Sequence, residues 1–168
     1  MRKKFLLLCI FVSLTTSTFA ATDETNTAIS KTASGLPIPR FASLRSDEVN
    51  MRTGPGTRYP IEWVLKRKGL PVEITAEFEI WRRIKDPEGA EGWVHISALS
   101  GKRMALVTGQ ARDLKKDHDD KTATVAHLEM GAIGQITACD KIWCKTKFGD
   151  MKGYLLKNTF WGVYPAEI

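Results

Sequence analysis

The chain is written twice, and that constrains its fold more than any other feature. Glu73-Ile74-Thr75-Ala76 followed by Ile80-Trp81 recurs as Gln135-Ile136-Thr137-Ala138 followed by Ile142-Trp143, at a constant offset of 62 residues. Gly69 matches Gly131 at the same offset. Gly92-Trp93-Val94 matches Gly153-Tyr154-Leu155 at an offset of 61, and Asn50-Met51-Arg52 loosely matches Asp113-Leu114-Lys115 at 63. From Phe41 onward the pattern is short apolar alternation broken by Gly and Pro, as in Val72-Glu73-Ile74-Thr75-Ala76, which reads as strand. Each unit is about 60 residues, a size at which a flat sheet exposes both an apolar face and open edges. Closure into a small barrel removes both. The expected class is therefore all-β, with two tandem small barrels over residues 40–101 and 102–168.

Alternation also assigns faces. Trp81 and Ile84, three apart on one strand, point to opposite sides of the sheet. Val72, Ile74, Ile84, Val94 and Ile96 form the expected core of the first unit, and Trp81 is left facing outward or into a groove.

The segment ahead of the repeats reads differently. Arg2, Lys3 and Lys4, then an apolar run from Phe5 to Val12, then Thr18-Phe19-Ala20 have the order of a secretory signal peptide over residues 1–20, with cleavage expected after Ala20. The run is too short to span a bilayer, and Cys9 lies inside it, so no membrane span is expected in the mature chain. Residues 21–39, rich in Thr, Ala and Ser, bury too little to offset ordering entropy and are expected to be a disordered leader. Loss of the signal lowers the formal net charge from +6 to +3. Lys66-Arg67-Lys68 and Arg82-Arg83 sit among Glu62, Glu73, Glu77 and Glu79. Mixed faces of this kind argue against nucleic acid as a partner.

Asn50-Met51-Arg52-Thr53-Gly54-Pro55-Gly56-Thr57-Arg58-Tyr59-Pro60 resembles the signature loop of bacterial SH3 (SH3b) domains. The Gly-led strand from Gly69 to Ala76, the acidic turn with Trp from Glu77 to Ile84, and Gly92-Trp93-Val94 follow in that family's order. The resemblance implies SH3-like barrels, an exported and most often periplasmic location, and binding of a cell-wall peptide or an envelope protein. Residues 102–165 are similar to a divergent second copy, with Lys115-Lys116-Asp117-His118-Asp119-Asp120 in place of the Gly-Pro-Gly loop and Ala126 matching Trp63.

Within the first copy, Gly54 and Gly56 permit positive φ, Pro55 fixes its own φ, and Pro60 holds Tyr59 extended, so the loop is pre-shaped. Tyr59 and Trp63 on one side, with Trp81 and Trp93 on the other, are the candidate ligand groove; capping of the barrel by these aromatics is the alternative.

After signal removal two cysteines remain, Cys139 and Cys144, flanking a hairpin tip. Export to an oxidising compartment and the opposite-charge pair Glu77 and Arg82 at the same repeat positions lead to an expected disulfide. The aromatic end, Phe160-Trp161-Gly162-Val163-Tyr164-Pro165, is expected to pack on the second barrel or in the seam between barrels; a partner surface is the alternative.

Catalytic chemistry is thin. Cys139 or Cys144 with His127 or His95 lacks a third orienting group, and Asp117-His118-Asp119-Asp120 lacks the glycine turn and distal Glu of a calcium loop. No catalytic, metal or cofactor site is assigned. The expected function is a non-catalytic binding module of the envelope, with a complex-docking scaffold and a cell-wall hydrolase as alternatives.

Overall fold

The computed structural model describes residues 33–164. The expected signal segment 1–20, the part of the expected leader up to residue 32 and residues 165–168 lie outside the described residues. The first half runs β1 (Arg40–Leu44), β2 (Val49–Arg52), β3 (Ile61–Leu65), β4 (Pro71–Phe78), β5 (Trp81–Lys85), β6 (Glu91–His95), a 3-10 turn (Ile96–Ala98) and β7 (Leu99–Ser100). The second runs β8 (Met104–Val107), β9 (Arg112–Lys115), β10 (Thr124–Leu128), β11 (Ile133–Cys139), β12 (Trp143–Phe148), β13 (Met151–Leu156), a 3-10 turn (Lys157–Thr159) and β14 (Phe160–Trp161).

The two seven-stranded antiparallel sheets have one topology. Their orders are β3-β2-β6-β5-β4-β1-β7 and β10-β9-β13-β12-β11-β8-β14, so each strand of the first has its counterpart seven places later. Inner side chains of each sheet converge on a single cluster. Leu44, Met51, Val72, Ile84 and Val94 meet in the first, and Val107, Leu114, Cys144, Phe148 and Leu155 in the second. A sheet whose inner face meets itself is curled, and this gives the two small barrels expected from strand alternation.

Two glycines in the repeat mark where each sheet bends upon itself. A Cβ on Gly92 would lie 2.5 Å from Met51 Cγ and 2.9 Å from Arg52 O; one on Gly153 would lie 2.5 Å from Lys115 O and 2.7 Å from Leu114 Cγ. Strand β2 thus lies directly against β6, and β9 against β13, at a distance only glycine allows. Gly69 and Gly131 hold the same left-handed turn, at φ 79° and 85°.

Of the expected core, Val72, Ile74, Ile84 and Val94 are buried. Ile96 is not: it is 43% exposed, because the chain leaves the strand at His95 and enters the 3-10 turn, which breaks the alternation. Residues 33–39, expected within the disordered leader, lie against the first barrel. There Ile38 packs on its core, and Ser34 Oγ donates to Glu77 Oε1 at 2.7 Å.

At the β4–β5 hairpin, Glu77 faces Arg82 in the ladder; at the corresponding β11–β12 hairpin, Cys139 faces Cys144 and the two form a disulfide. The same two positions are joined by charge in one copy and covalently in the other. The Glu77 and Arg82 side chains are 1% and 3% exposed, with Arg82 Nε 3.2 Å from Glu77 Oε1 and Arg40 NH2 at 2.6 Å. Burial pushes the Glu77 carboxyl up, but hydrogen bonds from Ser34 and Arg40 outweigh it and hold the group at about 2.

A seam fixes the barrels to each other. The Phe41 ring meets Trp161 edge-on at 5.1 Å and Tyr164 at 4.7 Å. Trp161 Nε1 donates to Pro71 O at 3.2 Å, and Tyr164 Oη to Glu73 Oε1 at 2.8 Å. Leu106 of β8 belongs to the first barrel's core, and Arg67 donates to Gly131 O. The aromatic end therefore packs in the seam.

The Glu77 carboxyl is depressed in the folded chain, so its contribution is complete above pH 4.5 and is lost as pH falls from there toward about 2. Denaturant unfolding across this window should lose about 3 kcal/mol through this group. Glu77→Gln should flatten that part of the profile, and an unchanged acid slope in the variant would refute the assignment. Replacing both Cys139 and Cys144 by Ser should lower unfolding free energy by about 2 kcal/mol, as expected for so short a covalent loop, and reductant should have the same effect on the native chain.

Candidate ligand recess

The loop after β2 is built around Arg52. Its guanidinium NH1 donates to Tyr59 O at 2.7 Å and Thr57 O at 3.2 Å, while Thr53 N donates to Pro60 O at 3.1 Å and closes the loop base. The Tyr59 ring then folds over Gly54, where a Cβ would come within 2.6 Å of Tyr59 Cγ. Gly54 and Gly56 permit positive φ, but neither adopts it; glycine is required at 54 by contact with the ring. Arg58 stacks on the same ring, 5.1 Å from its centroid.

The four aromatics of the expected groove do not line a common surface. Trp81 and Trp93 lie on the outer face of β5 and β6, where Trp81 pairs with His95 and Arg83 with Trp93. Trp63 pairs with Met51, whose side chain is in the core, so it sits on the opposite face of the sheet. It is 54% exposed on edge strand β3. Tyr59, half-buried, stays with the loop.

Trp81 lies opposite the core residue Ile84, as alternation required, but it is only 8% exposed. It forms part of a shallow recess of about 260 Å³ lined by Glu48, Asn50, Arg52, Thr57, Trp81 and His95, among others. The His95 ring meets Trp81 edge-on at 5.6 Å. His95 Nδ1 accepts from Ser97 N–H at 3.2 Å and lies 2.6 Å from Ser97 Oγ, which leaves the proton of the neutral ring on Nε2. The recess thus offers a ring N–H, an amide, a hydroxyl and a carboxylate around one indole edge. Reasoning from the strand pattern missed Glu48, Asn50 and Thr57, since small polar residues beside a loop carry no pattern of their own.

The second barrel holds a recess at corresponding positions, about 460 Å³ in volume. Trp143, 8% exposed, stands for Trp81, Lys115 for Arg52, Asp113 for Asn50 and Asp120 for Thr57. These correspondences keep the offsets of 62 and 63 found in the sequence. Asp113 Oδ1 lies 2.6 Å from His127 Nδ1; this hydrogen bond lowers the carboxyl's pKa against the effect of burial, with Thr124 assisting. Cys139 and Cys144, considered above as nucleophiles beside His127 or His95, are bonded to each other through their sulfurs.

Comparison with known proteins gives the first recess a family context. The family described as bacterial SH3 domain matches residues 45–101. A putative N-acetylmuramoyl-L-alanine amidase, YrvJ, of Bacillus subtilis (strain 168) is 24% identical over 166 residues, which cover 92% of this chain and 30% of that protein. Among solved structures, NlpC1 from Trichomonas vaginalis is similar over 73% of this chain and 45% of its own, at 10% identity and a TM-score of 0.34. An NlpC/P60 family protein from Bacillus cereus ATCC 10987 is similar over 71% and 55%, at 14% identity and a TM-score of 0.33. The loop built on Arg52, the Trp81 recess and the Gly92 crossing all fall within the matched residues, and residues 45–101 are a bacterial SH3 domain.

Proposed function

We propose that this protein is a non-catalytic, extracytoplasmic recognition module that binds a cell-wall peptide through the recess beside Trp81. The observation that carries the reading is the lining of that recess. His95 and Asn50 present donors, Glu48 and Thr57 present acceptors, and all surround the edge of a nearly buried indole. Peptide groups need paired donors and acceptors together with an apolar contact, and a rigid scaffold with a pre-shaped loop supplies them at low entropic cost. The Arg52 hydrogen bonds to Thr57 and Tyr59 hold the loop in shape before any ligand arrives.

The family of residues 45–101 supports a cell-wall partner, and the disulfide suits an oxidising compartment such as the periplasm. The amidase relative is more than three times as long as the stretch this chain spans, so its activity belongs to a larger protein. A second reading, docking of an envelope protein complex, is favoured by one feature. Strand β3 ends the first sheet with Ile61, Trp63 and Val64 all exposed, an edge on which another strand can pair.

Co-sedimentation with purified peptidoglycan separates these readings. The native protein should pellet with it. A Glu48→Gln, Asn50→Ala variant, changed only at exposed positions, should bind roughly tenfold more weakly at an unaltered melting temperature. Undiminished binding by the variant would remove the recess from the account. Failure of the native protein to pellet would leave the docking reading, and release of soluble muropeptides would establish a hydrolase instead.

A further inference from the structure

The recess of the second barrel keeps the Trp of the first but changes the charges around it. Where the first recess has Asn50 and Thr57, the second has Asp113 and Asp120; where the first has the buried Val49, the second has Arg112. Asp113 and Lys115 are committed within the barrel. Asp113 bonds His127 and Thr124, and Lys115 Nζ lies 3.5 Å from Asp113 Oδ2 and donates to Thr124 Oγ1 at 3.2 Å.

Arg112 and Asp120 are not so committed. Neither the Arg112 guanidinium nor the Asp120 carboxylate makes a hydrogen bond or ion pair among the described residues, and Arg112 Nε is buried without a partner. A guanidinium with an orphaned buried donor is an unfavourable arrangement for a barrel wall, and nothing in the packing of the second core requires it: the first barrel has valine there. An unspent cation and an unspent anion thus line one cavity together with the apolar side chains of Trp143 and Leu155. Its volume of about 460 Å³ lies within the range of pre-formed small-ligand sites.

We propose that the second barrel carries its own binding site, in which Arg112 takes a free carboxylate and Asp120 an ammonium group of one short zwitterionic peptide. A planar guanidinium pairs with a carboxylate through two parallel N–H donors, which fixes orientation as well as charge. Asp120, on the loop that replaces the Gly-Pro-Gly turn, supplies the complementary charge, and the apolar stem of the ligand lies on Trp143. The first recess has no charge pair of this kind, since Arg52 is spent on Thr57 and Tyr59, so the two barrels differ in what they accept. Peptides of this chemistry occur both as cell-wall stem peptides and as protein chain ends.

Titration of 15N-labelled protein distinguishes the sources and tests the site. The probes are the γ-linked tripeptide L-Ala-γ-D-Glu-L-Lys, its α-linked all-L counterpart, and each with its carboxylates amidated. At least one free-acid probe should shift the Trp143 indole and the backbone amides of Arg112 and Lys115, and whichever binds more tightly names the source. Arg112→Gln should weaken that binding roughly tenfold, and amidating the ligand should weaken native binding by a similar factor while costing Arg112→Gln little more. Asp120→Asn, at an exposed loop position, should weaken it several-fold at unchanged melting temperature.

The Glu48→Gln, Asn50→Ala variant should bind these probes like the native protein, so the two recesses stand or fall separately. Absence of shifts at Trp143 with every probe, or equal affinity in Arg112→Gln and Asp120→Asn, would overturn the proposal.

Discussion

The close passage of β2 over β6 at Gly92, repeated by β9 over β13 at Gly153, is the contact on which both halves depend. With so few residues, a sheet cannot bury an apolar face unless it curls, and curling here brings two strands nearer than side chains permit. Glycine at the crossing makes that possible. Once β2 lies on β6, Met51 is driven into the core, Arg52 emerges beside Trp93, and a crease opens between β2 and the start of β5. The Trp81 recess occupies that crease, so fold closure and site formation are one event.

Much of this was legible in the chain. The repeat announced two equivalent units, the strand period placed Trp81 opposite Ile84, and aligning the copies paired Cys139 with Cys144 through the register of Glu77 with Arg82. These features depend on local spacing, which one sequence displays directly. What was not legible depends on departures from regularity. Trp63 stands opposite the core residue Met51 across the strands, which turns it to the face away from Trp93, and a 3-10 turn exposes Ile96. A single bulge or turn reverses every face assignment beyond it, and neither leaves a mark in residue type.

Long-range charge was equally silent. Residues 33–39 looked too poor in large apolar side chains to order, yet Ser34 meets a carboxylate 43 residues away that Arg40 and Arg82 also hold. The two copies do the same structural job by different means at one pair of positions: an ion pair in one hairpin and a disulfide in the other. That divergence makes one hairpin sensitive to protons and the other to electrons, although their backbones correspond.

The contact of Phe41 with Tyr164 has a topological meaning. The first strand and the last described residue touch, so the stretch from residue 41 to residue 164 forms nearly a ring. A ring of this kind can be opened at an exposed tip such as the Gly149–Asp150 turn, provided that the residues before Phe41, with Ile38 on the core and Ser34 and Arg40 on Glu77, are carried across the new join.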